Sequence, residues 1–505
     1  MKTIFDVQEV LSDTCSDSDF GKIQWGDINA RFQKRIVDVL KRYKEVFSEQ
    51  VSPIPCDLEP YKIILKKGIV FPPKAMLQNV RPQTAANEAF LSAKLKKWTD
   101  LGIIKKVSSR YWSQVHIALK EGKSPRLCID WRALNANAEL FQFPIPDIKK
   151  TLSKLKNHKY YATIDLTDAY AQILMEESSV EYTAFRAQDS IYVMTRLGFG
   201  HSGAVPHFQK EIATKVLEGL IGYLCYNYLD DIVLWGDEEE PFLENLILIL
   251  ERLQRYKIKA KMSKLKFGTS ITFLGHLINK MGMAMSDDRK EALTKIQLPS
   301  TVRELHVFLG TANFFRDFVK NHSFYTTLLT RKLTTNLREK LTWTSEERGS
   351  FEGLKEAILK APILWWIQEN LTTGISTDAS VYCWGSYLWQ LDEQGKERII
   401  LFISGTFSGA SLIWPINEKE MYAIVATFAK IKYLIGTINV NIKTDHANLT
   451  YMSQPSKSEK VERWKLNLSR FAHTFQVVAG ADNVVADGMS RLMGISIIKS
   501  SNLMS

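Results

Sequence analysis

The tetrapeptide Tyr228-Leu229-Asp230-Asp231 sets two carboxylates side by side in a run, Gly222 to Gly236, that is otherwise rich in aromatic and β-branched residues. That composition predicts two short strands meeting at a tight turn, with the acids at the turn. Adjacent carboxylates repel each other, and keeping both ionised away from water is costly unless cations lie against them. A pair of Mg²⁺ ions would supply that charge, because hard oxygen donors suit Mg²⁺. Two such ions, about 3.5–4 Å apart, stabilise the attacking and leaving oxygens of an in-line phosphoryl displacement. The plainer alternative is a solvated Asp-Asp turn, and the motif alone does not choose between them.

A two-metal site needs a third acid. Asp165 qualifies: the run Tyr161 to Gln172 reads as a strand up to this residue, with a helix able to begin from Thr167. A carboxylate at the carboxyl end of a strand reaches the crevice beyond it. Capping of the following helix by Asp165 or Asp168 is the competing role. A second group of acids comes later. Asp378 sits in the β-rich Ile375–Ser380, Glu420 near the start of a helix opened by Pro415, Asp445 at the end of a strand from Asn441, and Asp487 in Asn483–Arg491. Taken singly, each also reads as a cap, a turn or a surface acid.

The elements that must position these acids follow from periodicity. Phe32, Ile36, Leu40, Tyr43 and Phe47 recur at helical spacing, and Pro53, Pro55 and Pro60 end that helix. From about residue 60 to 280, strand-like and helical segments alternate as in one α/β unit. A Lys-rich run, Arg255 to Lys266, leads to Phe267-Gly268 and a hairpin-like segment, Ile271 to Gly282. Residues 286 to about 360 read as helices. Ser300-Thr301-Val-Arg-Glu304 has the form of a capping box, followed on one face by Val302, Leu305, Leu309, Ala312 and Phe315. Pro362 and the Gly374 region open a second α/β unit running to about residue 492.

Composition narrows the function classes. A chain of 505 residues predicts two to four domains, and 45% hydrophobic with 24% charged residues is ordinary globular composition. The net charge of +11 suits a polyanionic partner, most commonly nucleic acid, with a merely solvated basic surface as the alternative. Cys15, Cys56, Cys128, Cys225 and Cys383 are scattered and form no Cys-x-x-Cys pair, which argues against a disulfide framework or zinc knuckle and for a reducing compartment. There is no signal-type N-terminus and no run of about 18 apolar residues, so a soluble, intracellular protein with no membrane partner is expected.

The ordered motifs carry a resemblance. Arg126-Leu-Cys-Ile-Asp-Trp-Arg-Ala-Leu-Asn135, Phe143-Pro-Ile-Pro146, Ile164-Asp-Leu166, Thr183-Ala-Phe185, Phe199-Gly200, the Tyr-Leu-Asp-Asp box, Phe273-Leu-Gly-His276 and Phe308-Leu-Gly-x-x-Asn-Phe-Phe-Arg316 follow one another. Together they resemble the reverse transcriptase of a gypsy-like LTR retrotransposon or related retroelement, over almost everything from about residue 45 to 492. The resemblance implies an α/β, multidomain chain: a right-hand polymerase followed by a ribonuclease H-like domain. Its divisions are an N-terminal extension and helix at 1–60, fingers and palm at 61–284, thumb and short connection at 285–370, ribonuclease H at 371–492, and a tail at 493–505.

Residue by residue, the resemblance implies that Asp165, Asp230 and Asp231 bind two Mg²⁺, with Asp231 the less central ligand and the Leu166 carbonyl adding a backbone oxygen. The chemistry is attack of a primer 3′-hydroxyl on the α-phosphorus of a dNTP. Arg126 lies along the triphosphate, Lys120 offers a second phosphate contact or is a solvated lysine, and Tyr170 is a gate that leaves no room for a 2′-hydroxyl, or else a plain packing residue. Phe199 flanks the nascent base pair. Gln209, Tyr228, Phe273, Leu274, Gly275 and His276 are expected at the primer and template. The Lys-rich run is expected on phosphates, or as a solvated helix face. Asp378, Glu420, Asp445 and Asp487 match the ribonuclease H acids, two further Mg²⁺ letting water cleave the RNA strand of an RNA–DNA hybrid; Mn²⁺ can substitute at either site.

The sequence departs from the family where Gly198-Phe-Gly-His201 replaces Pro-Phe-Gly-Leu, and where a later proline comes one place late, at Pro206. Efficiency and fidelity are what those changes touch. No Asp-Ser/Thr-Gly protease signature and no integrase zinc pattern occurs, as expected of a processed piece of a polyprotein. The partners implied are RNA or DNA template-primer, RNA–DNA hybrid and dNTPs, with a homodimer left open. The implied location is cytoplasmic, in virus-like particles, with the nucleus as alternative. A host-retained nucleic-acid-binding descendant without synthesis is the competing function; retention of all seven acids favours the enzyme. A plant-type pararetroviral polymerase shares the same motifs.

Overall fold

Helix α1 (Ala30–Arg42) turns Phe32, Ile36, Val39 and Leu40 into the core, and Asn29 caps it by accepting the Phe32 N–H at 2.8 Å. It ends before Tyr43, so Phe47 is buried from the irregular segment beyond and not from the helix itself. The computed structural model describes residues 17–76, 83–120, 123–444 and 458–477, and the chain divides into two units, 1–271 and 272–505.

The first unit is built on a five-stranded sheet. Its members are β1 (Gln24–Trp25), β4 (Tyr160–Asp165), β5 (Cys225–Tyr228), β6 (Asp231–Gly236) and β7 (Lys266–Gly268), in the order β1-β7-β4-β6-β5. Tyr160 to Ile164 are all buried, the near-continuous apolar run of a central strand. β4 and β6 pair antiparallel from Tyr160 opposite Gly236 to Asp165 opposite Asp231. Helix α4 (Glu239–Arg255) packs against β6 and buries Phe242, Leu246, Ile249, Leu250 and Leu253. Two other elements carry candidate residues. They are the hairpin of β2 (Val115–Lys120) and β3 (Lys123–Ile129), beside α2 (Ala85–Asp100), and helix α3 (Ala204–Glu211), which passes into a π-helical turn at Ile212–Val216.

Where the second unit begins, β8 (Ser270–Phe273), β9 (His276–Asn279), β10 (Gly282–Met285) and β11 (Leu364–Trp365) form one sheet in that order. Helices α5 (Val302–Phe314), α6 (His322–Thr330) and α7 (Ser345–Leu359) follow the hairpins. Val302, Leu305, Leu309, Ala312 and Phe315 are all buried, as the spacing predicts. The capping box differs in detail: Thr301 accepts the Glu304 N–H, but Glu304 reaches back to the N–H of Ser300, one residue early. A full box forms instead at Thr344 and Glu347.

A second five-stranded sheet contains β12 (Thr373–Ala379), β13 (Cys383–Leu391), β14 (Glu397–Thr406), β15 (Val440–Thr444) and β16 (His473–Val477), ordered β14-β13-β12-β15-β16. Helices α8 (Ile416–Ile435) and α9 (Glu459–Leu468) complete it. One continuous apolar cluster, from Met285 to Leu468, joins Phe308, Phe315, Phe351 and Leu354 of the helical region to Ile375, Leu388, Phe428 and Ile442 of this sheet region. Polar contacts follow the same seam: the Ser323 hydroxyl lies 3.0 Å from that of Ser404, and Arg316 donates to the Ser404 carbonyl. The architecture is mixed α/β, as expected. Among the described residues no helix is long and apolar enough to cross a membrane.

Candidate active sites

Strand pairing brings the first acid group together. Asp165 closes β4 directly opposite Asp231, which opens β6, and the Leu166 N–H donates to the Asp230 carbonyl at 2.9 Å. Tyr228 ends β5 and pairs with Asp231 across a two-residue turn. Leu229, its first central residue, has φ of +57°, a position that favours glycine and costs a larger residue about 1–2 kcal/mol.

The electrostatics fit a cation site. Burial, then the charges of Asp230 and Asp165, push the Asp231 carboxyl up to about 6; burial and Asp165 also raise Asp230. A solvated Asp-Asp turn would show neither effect. Asp168 has left-handed backbone and makes no side-chain cap to the short helix that follows, while Asp165 pairs with Lys264 at 2.9 Å. Neither acid is therefore serving as a helix cap. Among the described residues no three acid, His or Cys side chains are already closed around a metal position. What exists is an all-oxygen set on facing strand ends, two of its members held above their ordinary range, with an ammonium at its edge. That donor chemistry fits hard divalent ions.

The Lys-rich run is not a helix face. It leaves α4 at Arg255, bridges at Ala260, makes a short helical turn at Met262–Lys264 and enters β7. Its lysines turn to carboxylates and carbonyls: Lys264 to Asp165, Lys261 to Asp168 at 3.6 Å, and Lys259 to the Glu45 carbonyl.

Around the acids, Tyr170 is buried and meets Phe199 edge-on at 4.9 Å and Phe208 at 5.3 Å, its phenol pushed up to about 12 by burial and then Asp230. Phe199 is 62% exposed. Its segment is held from behind by residues of the Arg126–Asn135 motif. Trp131 donates to the Phe199 carbonyl at 2.8 Å, and Asn135 bonds both the Gly200 carbonyl and the Ser202 N–H. His201, where the family has leucine, is buried with Nδ1 2.8 Å from the Tyr61 hydroxyl; burial lowers its pKa to about 4. Arg126 is exposed on β3, and Lys120 closes β2 in register with Lys123.

Several expected primer and template residues face inward instead. Gln209 is 1% exposed and its amide is taken up by Asn227 and the Leu229 N–H. Phe273 and His276 are buried, and the His276 ring stacks on Phe318 at 5.6 Å between centroids. The two-residue turn between them, Leu274-Gly275, has positive φ at both positions and leaves only these residues and Tyr228 partly exposed. The motifs gave those positions but not the direction of their side chains. Lys264, Asn227, Trp131 and Asn135 all lie in segments that the sequence marks, but their contacts with Asp165, Gln209, Phe199 and Gly200 were not readable from spacing.

In the second unit, Asp378 near the end of β12 and Glu420 on α8 are both buried, and Glu420 accepts the Ala379 N–H at 2.9 Å. That bond ties the two acid-bearing elements at adjacent residues. The pocket at Asp378 is also lined by Asn321 and Phe324, from the helical region before the sheet. β15 runs parallel to β12 and ends at Thr444; Asp445 and Asp487 lie outside the described residues.

Comparison with known proteins matches both regions of the chain. Residues 118–278 match the family described as reverse transcriptase (RNA-dependent DNA polymerase), and 369–471 match the RNase H-like domain found in reverse transcriptase. The chain is 32% identical over 408 residues to the retrovirus-related Pol polyprotein from transposon opus of Drosophila melanogaster, covering 77% of this chain and 40% of that protein. It is 28% identical over 421 residues to that from transposon gypsy of the same fly, and 25% identical over 475 residues to the transposon Tf2-3 polyprotein of Schizosaccharomyces pombe. These matches cover 80% and 91% of this chain, and 40% and 35% of the relatives. The chain thus spans about two fifths of the length of these curated relatives. Among solved structures, a foamy viral protease-reverse transcriptase in complex with double-stranded DNA superposes with a TM-score of 0.78 at 21% identity, over 94% of this chain and 82% of that one. A foamy viral protease-reverse transcriptase in complex with RNA/DNA hybrid gives 0.73 at 21% identity, over 94% and 63%. At that identity the likeness is one of fold. The chain carries a domain of the reverse transcriptase family followed by an RNase H-like domain.

Proposed function

We propose that the chain is an RNA- and DNA-directed DNA polymerase whose C-terminal domain degrades RNA in RNA–DNA hybrids, in the replication of an LTR retroelement. The observation that carries this reading is the register that sets Asp165 against Asp231 beside Asp230. Asp165, Asp230 and Asp231, with the Leu166 carbonyl, would hold two Mg²⁺ or Mn²⁺ ions. When bound, these ions supply charge to the attacking 3′-hydroxyl and the departing pyrophosphate. The chain's own contribution is positioning. Arg126 and Lys120 bind the triphosphate, Tyr170 backed by Phe208 closes the space beside the sugar 2′-position, and the exposed Phe199 bears on the base pair being formed. Tyr228 and the Leu274-Gly275 turn are the remaining candidates for primer contact.

In the second unit Asp378 and Glu420, with Asp445 and Asp487, would bind two ions for attack of water on the RNA strand. Selectivity would rest on the 2′-hydroxyls of that strand. The domain limits at 61–284, 285–370 and 371–492, and a cytoplasmic setting in virus-like particles, belong to the same proposal. The foamy viral proteins solved with duplex and hybrid support nucleic acid as the partner.

The test is Mg²⁺-dependent extension of a DNA primer on an end-labelled RNA template, following both strands. Extension together with shortening of the RNA supports both activities. Tight hybrid binding by folded protein with no extension would replace the proposal with a nucleic-acid-binding role.

A further inference from the structure

We infer that the buried amide pair of Gln209 and Asn227 is a clamp that positions the polymerase carboxylates, an inference that rests on the polymerase reading. Both side chains are 1% exposed, so neither reaches nucleic acid. Gln209 Nε2 donates to Asn227 Oδ1 at 3.3 Å, and Asn227 Nδ2 donates back to Gln209 Oε1 at 3.2 Å. The same Oε1 accepts the Leu229 N–H at 3.0 Å. The reciprocal pair fixes which end of the Gln209 amide faces the turn: flipped over, it would set donor against donor and leave the Leu229 N–H without its acceptor.

The clamp acts at a strained joint of the acid site. Leu229 is the left-handed, non-glycine residue immediately before Asp230. Left alone, such a residue relaxes toward negative φ and rotates the peptide that follows it. That peptide carries Asp230, whose carbonyl bonds Leu166 next to Asp165. Holding the Leu229 N–H therefore holds the mutual placement of all three acids.

The base of the clamp is itself anchored. Gln209 lies on α3 between Phe208, which packs on Tyr170, and Glu211, which is fully buried, pairs with Lys215 at 2.7 Å and accepts the Glu59 N–H. The π-helical turn begins at the next residue, Ile212. One rigid turn of helix thus sets both the tyrosine beside the sugar pocket and the acid-bearing hairpin.

The experiment compares wild type with Gln209→Met, which removes the acceptor, and Gln209→Glu, which keeps one. Its readouts are kcat for dNTP incorporation, the Kd for primer-template, and the Mg²⁺ concentration at half activity. The thermal melt of each variant monitors folding. Gln209→Met is expected to lower kcat by about 10²-fold, the scale for misplacing a reacting group by an ångström. It should also raise the Mg²⁺ requirement and leave the primer-template Kd within about twofold. Gln209→Glu should retain more of kcat than Gln209→Met. If Gln209→Met does not fold, Gln209→Asn decides, because its amide is one methylene too short to reach the Leu229 N–H: a lowered kcat with a raised Mg²⁺ requirement at unchanged Kd supports the clamp, and wild-type values overturn it. A weakened Kd at unchanged kcat would overturn the clamp in favour of a direct template contact. An unchanged kcat in both variants would overturn it outright. Failure of the wild type to extend a primer would bring down the polymerase reading together with the clamp.

Discussion

Asp231→Asn should make the metal-free protein more stable, although it removes one of the proposed metal ligands. The Asp231 carboxyl is displaced from 3.8 to about 6, chiefly by burial and then by Asp230 and Asp165. At about 1.36 kcal/mol per pH step, the ionised side chain costs the fold up to about 3 kcal/mol. The sign follows from the folded value being the higher one. Below pH 3.8 the group is protonated in both states and costs nothing; the penalty grows from there to about pH 6 and is complete above it. For a folding unit of this size that corresponds to a rise in Tm of roughly 6–12 °C for the variant at pH 7.5. The assay is thermal melting of the full chain and of Asp231→Asn, in chelator, from pH 4 to 8. Added Mg²⁺ should then stabilise the wild type by mass action more than the variant and narrow the gap. A variant less stable than wild type in chelator at pH 7.5, or a gap that persists undiminished at pH 4, would refute the reasoning.

Asp378→Asn should abolish cleavage of RNA in a hybrid while primer extension stays within about twofold, because Asp378 and Glu420 form a site of their own in the second unit; loss of both activities would contradict separate sites. Tyr170→Val should reduce the preference for dNTP over rNTP by about tenfold or more, read by competitive single-nucleotide incorporation, with an unchanged ratio removing the steric role. The pair His201→Leu with Tyr61→Phe should resist acid better than wild type. Burial holds the imidazole at about 4 instead of 6.5, so wild type loses up to about 3 kcal/mol as pH falls through that window, and the double variant loses none of it. Urea midpoints at pH 7.5 and 4.5 check this, and equal acid losses would show that His201 is not the cause.

The acid turn was legible because two independent signals coincide there. β-Branched and aromatic runs mark both strands, and the acids fall at their ends, as Asp165 opposite Asp231 confirms for the pairing. Helical faces such as Phe32-Ile36-Leu40 and Leu305-Leu309-Ala312 were legible for the same reason, since burial is periodic. What sequence could not supply was the direction of single side chains. Gln209 and His276 sit inside motifs expected at the primer, yet each is drawn inward by a partner distant in sequence, Asn227 and Phe318. The Lys-rich run differs in a related way. Its charge also allows a solvated helix face, but Ala260 is buried, and the segment is pulled onto the sheet with Lys264 beside Asp165 and Lys261 beside Asp168. Long-range packing overrode local composition.

The apolar cluster shared by α5, α7 and the second sheet separates two meanings of a domain. The two family descriptions match residues 118–278 and 369–471 and leave out the ninety or so residues between. Yet that interval supplies Phe308, Phe315, Phe351 and Leu354 to the core on which the later sheet rests, and Asn321 and Phe324 to the pocket at Asp378. Excising the nuclease at its sequence boundary would strip this support and expose its apolar underside to water. A retroelement exchanging its nuclease by recombination would keep a working fold only if the crossover fell upstream of the intervening helices. The folding cassette is larger than the RNase H-like span alone.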